Sequence, residues 1–399
     1  MKGHDRERGK GHWYAVLSVR DPQTGKRKVQ WRSLPGCKGK KEAQIECSRL
    51  ITEIADGSFV VSNQTTLAQW IDHWLSIGAP GKKRKAVGRK TLERYGQLLR
   101  GHVIPTLGDR PLQKLQSTEI DALYTRLAEK ISARTAHHIH NVLGSCLRTA
   151  VRTRKLSRNP MSDVIKVPSP GEADHGIALD ADQLRMLVHG FKQSVLFPIV
   201  AVAAFTGARR GEILALRWED FDPNAKTLRI ERAIEETIEH GLQIKGPKTE
   251  RGKRTIEIDN DLVALLVAER DRYLRMVAGV AVGAAVDLSL VRLPADALIF
   301  PCPPTHGERF SFTKLRSPQD VSNRFRAVAT KLGFQLRLHD LRGTHETLLL
   351  DAGVPVHVVA ARCGHDPAVL LRSYAKRTRK ADRSAAGVIG ELSRGVLGK

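Results

Sequence analysis

The sequence is poor in the features that build disulfide scaffolds, metal sites and membrane spans. Its five cysteines, Cys37, Cys47, Cys146, Cys302 and Cys363, are odd in number and form no C-x-x-C pair. That argues against a disulfide framework and a thiolate zinc site, and fits a reducing cytoplasm. The opening MKGHDRERGK lacks the apolar core of a signal peptide. The longest apolar run, Met276 to Val286, is rich in Gly and Ala. It falls short of the roughly 20 residues that a membrane helix needs, so no membrane partner is expected. No Asp/Glu cluster of the metal-site kind stands out. His137, His138 and His140 lack carboxylates at helical spacing and read as surface or core residues. Acid is scarce overall, with 42 Asp and Glu against 66 Lys and Arg, a formal charge of +24.

A basic excess of this size calls for a polyanionic partner, most often nucleic acid. The excess is uneven. Residues 1–64 carry 13 basic and 7 acidic side chains, residues 65–170 carry 19 and 7, and residues 171–399 carry 34 and 28. The middle segment therefore has the densest positive charge, as expected of a surface that follows a DNA backbone.

Taken in order, residues 11–33 alternate as strands do, with Trp13, Ala15, Leu17 and Val19 on one face and Val29 and Trp31 on the return. Lys40 to Ile54 reads as a helix with Ala43, Cys47, Leu50, Ile51 and Ile54 inward. This predicts a small sheet-plus-helix domain over 1–60. Four helical stripes follow within 65–162, beginning with Leu67, Trp70, Ile71, Trp74 and Leu75, with Pro105 and Gly108 stopping the second. Residues 163–178 hold Pro168, Pro170, Gly171 and Gly176 and read as a linker. Asp180 and Gln183 resemble a capping box, opening a mixed α/β region over 179–385. There Phe197 to Phe205 reads as a buried helix, and Leu242–Ile244 and Thr255–Ile258 as a hairpin around GPKTERGK. Residues 279–297 read as an irregular insertion, Leu298–Pro301 as a short buried strand, and Val321–Leu332 as a helix. The tail over 386–399 carries Val388, Ile389, Leu392 and Val396 at helix-like spacing, expected to dock on a neighbouring protomer.

The richest stretch is HDLRGTHETLLLDAGVPVHVVAARCGHDPAVLLRSY, from His339 to Tyr374. His339 and Arg342 are three apart and share a helix face; His365 follows Gly364, and Tyr374 lies nine residues on. Two imidazoles, a guanidinium and a phenol suit a phosphate and a nucleophile. Upstream, TGARRGE opens a helix near Arg209 or Arg210, where backbone N–H groups and a guanidinium favour an anion. Glu212 is placed to hold Arg209 from the next turn. Lys248 lies in the basic GPKTERGK turn.

Arg209, Lys248, His339, Arg342, His365 and Tyr374, in this order and spacing, resemble the tyrosine recombinase (phage integrase) family. The resemblance is strong over roughly 170–385 and looser over 66–160, which resembles a helical (SAM-like) core-binding domain. Residues 1–60 resemble an arm-type DNA-binding domain. It implies a mainly α multidomain protein with small β-sheets and a mixed α/β catalytic domain. Arg209 and Arg342 would clamp the scissile phosphate, with a further hydrogen bond from His365. Tyr374 would attack phosphorus to give a 3′-phosphotyrosyl link, Lys248 would protonate the departing 5′ oxygen, and His339 would take or hold the tyrosine proton. Glu212 would buttress the site. His345 reads as structural, and His357, Arg210 and Arg251 have no assigned role. Cys363 and Gly343 depart from the family pattern at packing positions.

Neither a metal nor ATP is implied, because the bond energy stays in the protein–DNA link. The implied partners are double-stranded DNA at core and arm sites, gripped in a C-shaped clamp, three further copies in a homotetramer, and accessory DNA-bending or directionality proteins. A type IB topoisomerase-like relaxing activity and a non-enzymatic DNA-binding regulator stay open as alternatives.

Overall fold

The computed structural model describes residues 3–20, 27–37, 39–55, 63–81, 85–170, 177–247, 250–281 and 283–374. The chain divides into two compact units, Met1–Glu172 and Ala173–Lys399.

The first unit opens on an antiparallel sheet of β1 (Gly3–Glu7), β2 (Trp13–Arg20) and β3 (Arg27–Ser33), with β2 in the middle. Ala15 and Leu17 pack with Ala43, Cys47 and Leu50 of α1 (Lys40–Ala55) in a small core of their own. Strand β1 carries none of the alternation that marks β2. GHDRE is polar, and pairing places it, from Gly3 opposite Leu17 to Glu7 opposite Trp13.

A second core in this unit is helical: α2 (Leu67–Ser76), α3 (Arg89–His102), α4 (Ile104–Leu107), α5 (Ser117–Ala128) and α6 (Ala133–Arg152). Thr66 and Gln69 form a capping box at the start of α2. The expected stripe of Leu67, Trp70, Ile71, Trp74 and Leu75 is buried, each large side chain contributing about 1.5–3 kcal/mol of transfer free energy. The Trp70 indole donates to the Cys146 carbonyl of α6 at 3.3 Å. Pro105 does not simply end α3; it lies in the first turn of α4, where its missing N–H costs nothing. His140 Nδ1 meets the Tyr124 hydroxyl at 3.1 Å, and His137 Nδ1 meets the Pro168 carbonyl at 2.7 Å.

In the second unit Asp180 caps α7 (Ala181–Gly190), accepting from Gln183 N at 2.9 Å, while Gln183 accepts from Asp180 N at 3.1 Å. Helix α8 (Phe197–Thr206) is buried on most sides and crosses the core. The four-residue α9 (Arg210–Ile213) follows. Two separate antiparallel sheets come next. One joins β4 (Phe221–Asp222), β5 (Thr227–Ile230) and β8 (Arg254–Glu257); the other is a ribbon of β6 (Ala233–Thr237) and β7 (Gly241–Lys245). This corrects the expected hairpin around Lys248. Strand β7 pairs with β6, and β8 pairs with β5, so the basic segment links two sheets.

Helices α10 (Asn260–Ala278), α11 (Pro318–Lys331), α12 (Asp340–Asp351), α13 (Val356–Cys363) and α14 (Pro367–Tyr374) complete the unit. The strand expected at Leu298–Pro301 is instead buried chain with a single bridge from Leu298 to Arg217. Leu298 N donates to the Phe312 carbonyl at 2.9 Å, and Ile299 N to Leu216 at 2.8 Å. No described helix is long and apolar enough to cross a membrane.

Candidate active site

The site forms where α8, α9, α12 and α13 converge. Helix α8 ends at Gly207 in the left-handed region, φ 63°. Two residues on, Arg209 caps α9. Its Nη1 donates to Glu212 Oε1 at 2.8 Å and its backbone N–H to Oε2 at 2.9 Å. At this helix N-terminus, which suits an anion, the Arg209 N–H meets the carboxylate of Glu212. A second guanidinium, Arg254 of β8, donates to Glu212 Oε2 at 2.8 Å. Burial raises the Glu212 pKa, but the hydrogen bonds and charge of Arg254, together with Arg209, outweigh it and hold the carboxyl below its ordinary value.

Helix α12 supplies the second half. His339 precedes its first turn and Arg342 lies within it, 3% exposed. Arg342 Nη1 donates to the Gly207 carbonyl at 2.7 Å and Nη2 to the Cys363 carbonyl at 2.5 Å. Its Nε lies 3.2 Å from His365 Nε2 and 3.1 Å from Glu346 Oε1. The third side of this triangle, His365 Nε2 to Glu346 Oε1, is 2.9 Å. Desolvation, followed by the charge of Arg342, lowers the His339 imidazole below its usual pKa, although part of the residue stays open to solvent.

Helix α13 closes the site. It ends at Gly364, also left-handed at φ 64°, whose carbonyl accepts from Arg209 Nη2 at 3.1 Å. The His365 backbone N–H returns to the Ala360 carbonyl at 2.8 Å. His345 lies behind this wall. Its Nδ1 meets the Ala204 carbonyl at 3.0 Å, and its Nε2 accepts from Arg362 Nε at 3.1 Å. A guanidinium can only donate, so the proton sits on Nδ1 and the ring is neutral. Burial and the Arg362 charge push its pKa down to about 4. Burial pushes the Cys363 thiol up to about 11, keeping it protonated.

Arg209, Glu212, Arg342 and His365 are therefore joined in one network, with His339 beside Arg342. Tyr374 ends α14, but its side chain lies outside the described residues, as do Lys248 and the tail over 386–399. Sequence reasoning missed Arg254, Glu346 and Arg362. Arg254 is one of several cations in TERGKR, and Glu346 shows only as a charge at i+4 from Arg342 on a helix that buries Asp340 through Thr347. Among the described residues no group of three or more His, Cys, Asp or Glu is arranged to hold a metal ion.

The fold is that of the DNA integrases. The Tn1549 transposon integrase, solved in complex with a circular intermediate DNA, superposes with a TM-score of 0.59 at 18% identity, covering 82% of this chain and 99% of that one. A lambda integrase dimer bound to a COC' core site gives 0.55 at 17% identity, covering 94% and 96%. The chain belongs to the phage integrase family: the family's model matches residues 178–380, its central domain 68–166, and an arm DNA-binding domain 4–54. An integrase of Streptomyces ambofaciens is 25% identical over 96% of this chain and 94% of its own length. A XerC-like tyrosine recombinase of Caldanaerobacter subterraneus is 26% identical over 82% and 83%. This chain is thus a tyrosine recombinase, an enzyme that cleaves and rejoins DNA in the site-specific recombination of mobile elements.

Proposed function

We propose that Arg209, Arg342 and His365 bind the scissile phosphate of duplex DNA and that Tyr374 is the nucleophile. The observation that carries this reading is that Arg209, capping α9, and Arg342, in α12, flank His365: Arg209 donates to the Gly364 carbonyl beside it, and Arg342 Nε lies 3.2 Å from its Nε2. Two guanidiniums and an imidazole supply the donors that a phosphorane-like transition state requires. The tyrosine oxygen forms a bond to phosphorus as the bond to the 5′ oxygen breaks. The product is a 3′-phosphotyrosyl link and a 5′-hydroxyl. His339, favoured in its neutral form, takes the phenolic proton, and Lys248 gives a proton to the leaving oxygen. Glu212 holds Arg209 in place. Attack by a 5′-hydroxyl on the phosphotyrosine reverses the chemistry and rejoins the strand.

Residues 65–162 grip core sites and residues 1–60 bind arm sites. Four copies act together, with accessory DNA-bending or directionality proteins, in the cytoplasm of a bacterial host. The structure of a lambda integrase tetramer on a Holliday junction supports the fourfold assembly by likeness of fold.

The test uses a nicked suicide duplex carrying the end junction of the element that encodes the chain. Wild type forms a covalent 3′ adduct in the presence of a metal chelator, and Tyr374→Phe binds the duplex but forms none. An adduct persisting in Tyr374→Phe overturns the nucleophile assignment.

A further inference from the structure

The triangle of Arg342, His365 and Glu346 holds one more charge than the reaction calls for. Glu346 is 4% exposed, on the same helix as Arg342 and one turn after it. Its Oε1 is within 3.1 Å of Arg342 Nε and 2.9 Å of His365 Nε2. The Nη bonds of Arg342 described above go to neutral carbonyls, which orient a guanidinium without balancing its charge. The Glu346 carboxylate balances it. Glu212 serves Arg209 and Arg254 instead.

We infer that Glu346 is a positioning residue that holds Arg342 and His365 in the free enzyme as the scissile phosphate holds them during reaction. The inference rests on the reading of Arg342 and His365 as phosphate-binding groups. It follows from counting donors. His365 Nε2 can accept from Arg342 Nε at 3.2 Å; when it carries a proton instead, that proton has one direction, Glu346 Oε1 at 2.9 Å. To reach a phosphate oxygen, the same N–H must leave a charged acceptor, which binds it more strongly than a neutral one. His365 is the member open to solvent, with its side chain 23% exposed against 3% for Arg342 and 6% for Glu346. Phosphate entry therefore exchanges His365 from carboxylate to phosphate while Arg342 stays on its carbonyls. The carboxylate keeps the buried guanidinium in place beforehand, at the expense of competing for His365 afterwards.

Removing the charge of Glu346 separates these two effects. Glu346→Gln keeps the shape and the acceptor oxygen. It should melt at a lower temperature than wild type without DNA. Its melting temperature should rise at least twice as much as that of wild type on titration with inorganic phosphate. At saturating suicide duplex it should form the covalent adduct severalfold faster. A purely structural carboxylate predicts the reverse for the last two: no greater response to phosphate, and an adduct rate that falls along with stability. Either of those results overturns the inference. Should Glu346→Gln fail to fold, Glu346→Asp keeps the charge but draws it back from His365, and the same larger phosphate response is required of it. Wild type forming no adduct would sink the reading of the site; the phosphate titration would still decide the role of Glu346.

Discussion

Arg254 and Glu212 face each other at 2.8 Å with side chains 7% and 5% exposed, a buried ion pair beneath Arg209. Arg254 also donates through Nε to the Arg362 carbonyl at 2.7 Å and through Nη1 to Gly252 at 3.1 Å. Three partners in three directions suit a guanidinium and not an ammonium. Arg254→Ala leaves Glu212 short of a buried partner and should cost about 3–5 kcal/mol in urea unfolding. Arg254→Lys should recover only part of it. The Glu212 pKa is depressed in the folded state, so its contribution is present above the ordinary carboxylate value and is lost as pH falls through the folded one. Stability measured from pH 6 down to pH 3 should fall less steeply in Arg254→Ala than in wild type.

The neutral ring of His345 gives a dependence over a higher pH window. Its folded pKa, about 4, lies below the unfolded value, so unfolding takes up a proton between the two. Stability is complete above about pH 6.5 and declines by roughly 1 kcal/mol per pH unit toward pH 4. His345→Gln should flatten that part of the profile, read as melting temperature against pH.

Gly207 is where backbone conformation and site geometry meet. At φ 63° a Cβ is strained, and it would also stand 2.7 Å from His345 Cδ2 and 3.1 Å from Cys363 Sγ. Gly207→Ala should cost about 2–4 kcal/mol from backbone strain and overpacking together. Because the Gly207 carbonyl holds Arg342, adduct formation should fall even at temperatures where the variant is fully folded. Circular dichroism and the suicide duplex measure the two effects separately.

For Lys248 the check is chemical. Lys248→Ala should slow cleavage about 10²–10⁴-fold, the usual contribution of a general acid. A duplex with sulfur in place of the bridging 5′ oxygen has a leaving group that needs no protonation. Lys248→Ala should cleave it at nearly the wild-type rate; a persistent defect would move Lys248 out of the proton-transfer role.

Elements with one apolar face were legible in the sequence. The stripe from Leu67 to Leu75 and the Asp180–Gln183 box both specify local structure by spacing alone. So was the order of Arg209, His339, Arg342 and His365, since each sits at a helix end where Gly or a short polar run punctuates the chain. Pairing between strands was not. The β6–β7 ribbon turns at Ile238–His240, before a Gly241 at φ 61° that resembles any other loop glycine, so the partner of β7 was misassigned. The polar β1 owes its place to β2 rather than to its own pattern. Buried charges were the hardest to find. Arg254 and Glu346 look in sequence like solvated residues, and only packing from distant segments makes them otherwise.

Arg209 is held by a carbonyl 155 residues further along the chain, and Arg342 reaches back 135 residues to Gly207. During synthesis Arg209 and Gly207 leave the ribosome long before α12 and α13 exist to meet them. The nascent chain then already carries its basic middle segment, but its two guanidiniums have not been brought together. On the proposed reading, strand breakage waits until α12 and α13 have met Arg209 and Gly207, so a product interrupted before them should bind DNA without cutting it.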